Sequence, residues 1–476
     1  SPLKMVPFLL FLLLGTAFTA PVDHPDRVTN LPGAPVEPSF PLYSGFINAE
    51  DNGTEHKLFY VLAEAINADP ETAPLLVWLN GGPGSSSLLG LFLIHGPYLL
   101  NTESDTLRYN DFSWNQYANV LYLETPSGVG FSHPSKRTNL VYNDNSTARI
   151  NRKALNDFMT RVHPRYANRD FYITGELYAG VYNPFFAREI LTSANTLEFA
   201  NKNLKGIVMG NAHVDDFSDY AAFGIQLYSL GLIPEKYREE VFDAWERIVG
   251  GNHTAISYDS ELGNILGTAR YSFGRGAVYN VPLQCNLPAD EKTWHIAKPV
   301  PVAECNSEVI IEIYLNREDV QHHLHVREVV QPNVHWQLSN DAIFWTYSRT
   351  SDTIPIYKDI FAAAQSDFRI LFYTGDMDLV CPPLQVAFGA RRISEDNEMT
   401  VVNSTNWSYL GDFGGARTSY ATNDSRVIMD VITVRGASHM VPLTHPDRAF
   451  QMINNFIFAE SQTPIDYSQL IARRTK

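Results

Sequence analysis

Only three of the 476 residues are cysteine. A fold stapled by a disulfide network is therefore excluded, because three thiols make at most one bridge and leave one over. Positive charge is also scarce. There are 36 lysines and arginines against 52 aspartates and glutamates, a net charge of −16. Nucleic acids and anionic membranes need a basic face on their partner, so neither is expected to bind. Long apolar runs are missing too. The run Val6–Leu14 has nine residues, whereas a membrane span needs about 20. No later segment comes closer, so no membrane span is expected.

What is present points to a folded, exported chain. Hydrophobic residues make up 45% and aromatics 12%, enough for a large packed core, which excludes disorder. Lys4 precedes Val6–Leu14, and the small residues Gly15, Thr16 and Ala17 follow it. This is the layout of a secretion signal, here residues 1–17. The expected destination is the secretory pathway, ending outside the cell or in an endo-lysosomal lumen. Protonating all 14 histidines would still leave the chain slightly negative. It nears neutrality only in acidic surroundings. Six Asn-x-Ser/Thr triplets, at Asn52, Asn145, Asn252, Asn403, Asn406 and Asn423, read as N-glycosylation sites.

Short apolar runs recur along the chain. Leu75–Leu79, Val120–Leu123, Phe171–Thr174, Ile207–Met209, Ile370–Tyr373 and Val427–Val434 read as buried strands. Helical patterns lie between them, such as Asn316–Val326 with Asn316 as its N-cap. Strands alternating with helices predict a mostly parallel central sheet with helices on both faces. From 213 to 306 the pattern turns helical and loop-like. That stretch is expected to be a helical cap insertion between two parts of one core, 18–212 and 307–476.

Three loops carry the chemistry, each just after a strand. They are Thr174-Gly-Glu-Leu-Tyr-Ala-Gly180, Tyr373-Thr-Gly-Asp-Met-Asp-Leu-Val-Cys-Pro382 and Gly436-Ala-Ser-His-Met-Val-Pro442. Nucleophile position, acid, then histidine is the chain order of α/β-hydrolases. A sharp strand-to-helix elbow lifts one side chain above the sheet, where a histidine oriented by an acid can reach it. The Gly-x-x-Asp-x-x-x-Pro spacing selects Asp378 as the acid and leaves Asp376 to shape the loop.

Two further motifs, Trp78-Leu-Asn-Gly-Gly-Pro-Gly-Ser-Ser-Ser87 and Glu124-Thr-Pro-Ser-Gly-Val-Gly-Phe-Ser132, complete a set in a fixed order. With the elbow and the histidine loop they make the chain resemble the serine carboxypeptidases of the cathepsin A and carboxypeptidase Y type, from about Pro32 to Ile457. The resemblance implies an α/β-hydrolase fold. It assigns Asp378 and His439 to a catalytic triad. The backbone N–H groups of Gly82 and Tyr178 would form an oxyanion hole. Asn80 and Glu176 would hold a peptide's terminal carboxylate. The bound partners would be peptide or protein C-termini, with neither cofactor nor metal required. The family's tendency to dimerise implies a homodimer, or a pairing with an active relative.

The chain departs from that pattern in several places. The family's nucleophilic serine corresponds to Leu177, which has no lone pair and no proton to lose. The acid that partners Glu176 in the family corresponds to Ile94. Without it, Glu176 is expected to be easier to ionise, and once ionised to repel a peptide C-terminus. A family disulfide is lost at both ends, at Ser85 and in the segment of Ser339. The resemblance implies another bridge, Cys285–Cys305, and leaves Cys381 as a buried spare. His322, His323 and His325 lie at i, i+1 and i+3 of a helical pattern, so only two share a face, and they read as ordinary helix positions.

The first expectation is thus a carboxypeptidase-like protein that has lost catalysis and keeps its cleft for binding or regulation. Two alternatives stand beside it. One is an active carboxypeptidase whose sequence carries an inactivating change; the other is an interaction subunit for an active relative.

Overall fold

Successive residues of the central strands look into two different cores, as a two-residue repeat requires in strands buried on both faces. The computed structural model describes residues 24–35, 40–101, 106–135, 141–195, 199–252, 260–272, 303–327, 335–364, 367–459 and 465–468. Its strands are β1 (Leu42–Asp51), β2 (Thr54–Ala63), β3 (Leu75–Leu79), β4 (Tyr98–Leu100), β5 (Leu107–Tyr109), β6 (Asn119–Leu123) and β7 (His133–Pro134). After them come β8 (Phe171–Glu176), β9 (Leu204–Gly210), β10 (Phe368–Gly375), β11 (Thr400–Tyr409), β12 (Asp412–Ala421) and β13 (Val427–Val434).

One sheet holds eleven of these strands, in the order β1-β2-β6-β3-β8-β9-β10-β13-β12-β11, with β7 on β2. The six central strands, β6 to β13 in that order, run parallel. Antiparallel hairpins, β1–β2 and β11–β12, finish the two sides. The alternation is plain in β3. Leu75, Val77 and Leu79 enter one core, Leu76 and Trp78 the other.

Helices cover both faces. Asp144–Asp157, Ala179–Asn195, Ile354–Ala363 and Pro383–Asp396 bring Leu155, Phe186, Ile360 and Ile393 to the first core. Ala303–Leu315 and Pro446–Phe458 bring Ile311 and Ile453 to the second. The first helix starts cleanly because Asn143 and Ser146 cap each other, each side chain accepting the other's backbone N–H at 2.9 Å. Asn316 is no N-cap. The helix there is Glu318–His323 with Arg317 at its start. Asn316 is engaged elsewhere, its Oδ1 accepting the Trp336 N–H at 2.8 Å and its Nδ2 donating to Trp336 O at 2.8 Å. A tertiary partner has outcompeted the cap.

Within the 213–306 stretch, helices Asp219–Ser229, Arg238–Val249 and Glu261–Ser272 share a small core of their own. Phe223, Leu227, Val241 and Leu266 close there on Leu379 and Phe388 of the main body. The signal segment, Cys285 and the side chain of Cys305 lie outside the described residues, and the expected bridge with them. Cys381 is a buried thiol, as expected. All six sequon asparagines are accessible, with only Asn403 half-buried. No helix among the described residues is long and apolar enough to cross a membrane.

Candidate functional site

The elbow is built at Leu177. β8 ends at Glu176, a helix begins at Ala179, and Leu177 turns the corner with φ of 59°. A left-handed leucine costs about 1–3 kcal/mol, so its surroundings must hold it there. They do. Its N–H donates to Gly210 O at 3.0 Å, and its carbonyl accepts from Gly180 at 3.0 Å and His213 at 2.9 Å. Gly180 has to lack a side chain, since a Cβ there would lie 2.2 Å from His213 O. The Leu177 side chain is partly buried against the first core. The glycine loop presses on the same turn. A Cβ on Gly81 would lie 2.3 Å from the backbone N of Tyr178, so the residues expected to form an oxyanion hole, Gly82 and Tyr178, belong to two segments in close contact.

Asp378 and His439 meet above the sheet. The His439 Nδ1–H donates to Asp378 Oδ2 at 2.8 Å, and both residues are buried. The carboxylate is firmly held. Oδ1 accepts from Val380 N at 2.8 Å, and Oδ2 accepts from Cys381 N at 3.0 Å and from Asn211 Nδ2 at 2.8 Å. Burial works against a charge on His439, but the carboxylates of Asp378 and Glu176 outweigh it and raise its pKa. Asp376 shapes the loop, as its spacing predicts. Its Oδ1 accepts the Gly436 N–H at 2.6 Å and ties the acid loop to the histidine loop.

Glu176 and Asn80 form the second half of the site. Asn80 Nδ2 donates to Glu176 Oε1 at 2.9 Å. Asn80 Oδ1 accepts from Trp78 Nε1 at 2.7 Å and from Gly90 N at 3.1 Å, so its orientation is fixed. Glu176 Oε2 is buried and has no hydrogen-bond partner among the described residues. Burial pushes the Glu176 pKa up to about 7, with Asp378 adding to the rise while His439 and Asn80 oppose it. Ile94, at the position of the family's partner acid, is apolar and fully buried in the second core. Desolvation holds the proton without a partner acid.

At the two positions where the resemblance implies a lost disulfide, two hydroxyls meet. Ser85 Oγ and Ser339 Oγ lie 2.8 Å apart. On either side, Ser86 N–H donates to Leu338 O at 2.8 Å and Asn340 N–H to Gly84 O at 2.9 Å. Beneath this loop Glu124 is the buttress. It accepts from Ser86 Oγ, from Trp336 Nε1 at 2.9 Å and from Phe131 N at 2.7 Å. Burial raises its pKa to about 7 as well.

Sequence reasoning missed three neighbours. Asn211 bridges the site, bonding Asp378 and accepting the Gly375 N–H at 3.1 Å. His213 stacks on Tyr178 and bonds Asp216 at 3.0 Å. The buried Tyr373 hydroxyl has no hydrogen-bond partner among the described residues, and its pKa is raised by burial and by Glu176. The available signal was position, since Asn211 and His213 follow the end of β9 and Tyr373 lies near the end of β10.

The histidines of 322–325 do not converge. His323 bonds Asn30 at 3.2 Å, while His325 Nδ1 lies 3.1 Å from Ser44 O. Another group, His24, Asp26 and His163, keeps its ligand atoms within 4.8 Å of one another. Several of its polar atoms are already engaged. His24 bonds Val162 O at 2.9 Å and the Asp26 N–H at 3.1 Å, and Tyr60 Oη sits 2.5 Å from Asp26 and 3.0 Å from His163. The two imidazoles stack at 9° rather than pointing at one centre. The group is a hydrogen-bonded clasp.

With this geometry in place, comparison with known proteins is direct. A family model described as serine carboxypeptidase matches residues 32–459. The serine carboxypeptidase ctsa-3.1 of Caenorhabditis elegans is 30% identical over 96% of this chain and 93% of its own length. Serine carboxypeptidase-like 22 of Arabidopsis thaliana is 32% identical over 94% of this chain and 97% of its own. The solved structure of Kex1(delta)p, a prohormone-processing carboxypeptidase from Saccharomyces cerevisiae, superposes with a TM-score of 0.69. It covers 90% of this chain and 94% of that one at 20% identity, a likeness of fold, which is the α/β-hydrolase fold.

Proposed function

Because the chain belongs to the serine carboxypeptidase family, we propose that it is a member that binds peptide C-termini without cleaving them. One observation carries this reading. The elbow is intact, but it presents Leu177 where the family's motif has serine. A leucine cannot attack a carbonyl, and no acyl-enzyme can form. In subtilisin, loss of the nucleophile costs about a million-fold.

The rest of the cleft favours binding. A peptide's terminal carboxylate would lie against Asn80 and a protonated Glu176, which can donate to it while its pKa stays near about 7. The last peptide carbonyl would face the N–H groups of Gly82 and Tyr178. His439 and Asp378 would remain as a hydrogen-bonded pair with no hydroxyl to deprotonate. The helices Asp219–Ser229 to Glu261–Ser272 would serve as the cap. A raised carboxyl pKa suits an acidic lumen, in keeping with the export signal read at residues 1–17. Ile94, Ser85 and Ser339 favour natural divergence over a single inactivating change, since all three depart from the family's pattern along with Leu177.

The test pairs chemistry with binding near pH 5. A fluorophosphonate probe and a C-terminal peptide assay should show neither labelling nor turnover, and calorimetry with free-acid peptides should show binding that their amides lack. Turnover at the level of active relatives would end the proposal.

A further inference from the structure

The sheet finishes its two edges differently. At the β1 side the chain covers itself. Val28 N–H donates to Leu42 O at 2.8 Å, Ser44 N–H donates to Asp26 O at 2.9 Å, and Arg27 bridges to Tyr43. At the other side, no further strand pairs with β11 among the described residues. Among the described residues, a contact comes near its end, where Ser468 Oγ accepts the Ser408 N–H at 3.1 Å. An open edge is a template for another copy's strand, and proteins usually blunt it with charge, proline or bulges. β11 reads Thr-Val-Val-Asn-Ser-Thr-Asn-Trp-Ser-Tyr, with no charge and no proline. Its register shifts fall at 401/403 and 407/408 and leave the stretch between them regular. Val401 is 57% exposed and Val402 45%. By composition this strand should be prone to self-pairing.

What β11 does carry is two sequons, Asn403-Ser-Thr and Asn406-Trp-Ser. The two asparagines are three residues apart, so they project from opposite faces of the strand. Their partners in the ladder agree. Asn403 lies opposite Ser419, which is buried, and Asn406 opposite Ala416, which is exposed. Both asparagines are accessible.

We propose that Asn403 and Asn406 carry N-linked glycans, one on each face of β11, and that these keep a second copy from adding its own strand to the open edge. The proposal rests on the export signal at residues 1–17. The modification needs a lipid-diphosphate-linked oligosaccharide. The asparagine Nδ2 forms a bond to the sugar's anomeric carbon, the bond from that carbon to the diphosphate oxygen breaks, and the diphosphate leaves with the electron pair. The amide gives up one proton. The product is bulky and hydrophilic, and from either face it obstructs the approach of a strand lying in the plane of the sheet.

The test uses the full chain secreted from a eukaryotic host. Glycopeptide mass spectrometry reads each sequon, and sedimentation velocity reads self-association. Three forms are compared with the untreated protein: native protein stripped by an endoglycosidase, Asn403→Gln/Asn406→Gln, and that double variant with Val402→Lys. Sugar at both sites, a shift to higher mass in the first two forms and its reversal by the lysine are expected. The stripped protein gives the readout even where the double variant fails to fold. Occupied sites with no shift on stripping would overturn the protective role. Bare Asn403 and Asn406 with sugar on Asn52 or Asn423 would overturn the sites. Six bare sequons would overturn the export reading on which the proposal rests.

Discussion

Ser85 and Ser339 present their hydroxyls to each other across 2.8 Å, although 254 residues separate them in the chain. Backbone hydrogen bonds on both sides hold the two segments together. The contact therefore keeps the setting of a cross-link without its covalent bond. Ser85→Cys combined with Ser339→Cys is expected to oxidise to an intramolecular bridge and to add about 2–4 kcal/mol of stability. Non-reducing peptide mapping and denaturant unfolding check this; two free thiols after exposure to air would count against it.

Leu177→Ser restores a hydroxyl at the elbow, within a site where His439, Asp378 and the glycine loop are already placed. It is expected to become reactive to fluorophosphonate and to release C-terminal residues in acid. Under the proposed function a protonated Glu176 would hold the carboxylate, so KM should rise as pH climbs through about 7. A KM flat across neutrality would show that Glu176 does not contact the ligand.

Glu176→Gln tests the same carboxyl through stability. Burial pushes the side chain's pKa up to about 7 in the folded protein, against an ordinary value of 4.5. Between those values the folded state keeps a proton that the unfolded chain releases. Its contribution is complete below 4.5 and is lost as pH rises through about 7. The glutamine variant should therefore match the wild type at about pH 4 and exceed it at about pH 8 by on the order of 3 kcal/mol. Equal stabilities at both pH values would refute the burial account.

Asn211→Ala removes a donor to Asp378 and the acceptor of the Gly375 N–H. It also places alanine at a φ of 40°. A loss of about 2–3 kcal/mol in denaturant unfolding is expected. If the variant unfolds like the wild type, Asn211 is not what anchors the acid loop to the end of β9.

The central strands were legible because burial on both faces leaves an unbroken apolar run. Leu75–Leu79 and Val427–Val434 have the limits their sequence suggests. The β11–β12 hairpin was not, because β11 is largely exposed on both faces and shows no apolar alternation. At the site, Leu177, Asp378 and His439 stand in motifs whose spacing reports their place. Asn211 and His213 belong to no such motif and reach the site only through the order of strands, while Tyr373 opens the acid-loop motif without its spacing marking it as a site residue. The protonation of Glu176 is also set by assembly: local sequence shows which acid is missing at 94, but not how deeply the carboxyl is buried.

Leu177 also changes how time enters the function of this cleft. Behind a serine, each bound peptide leaves as a shortened product, and occupancy is reset by turnover. Behind leucine, the exit left under the proposed function is dissociation, so the lifetime of the complex is its off-rate. The peptide departs unaltered and can bind again. Under that reading, such a cleft would report the concentration of free C-termini without consuming them.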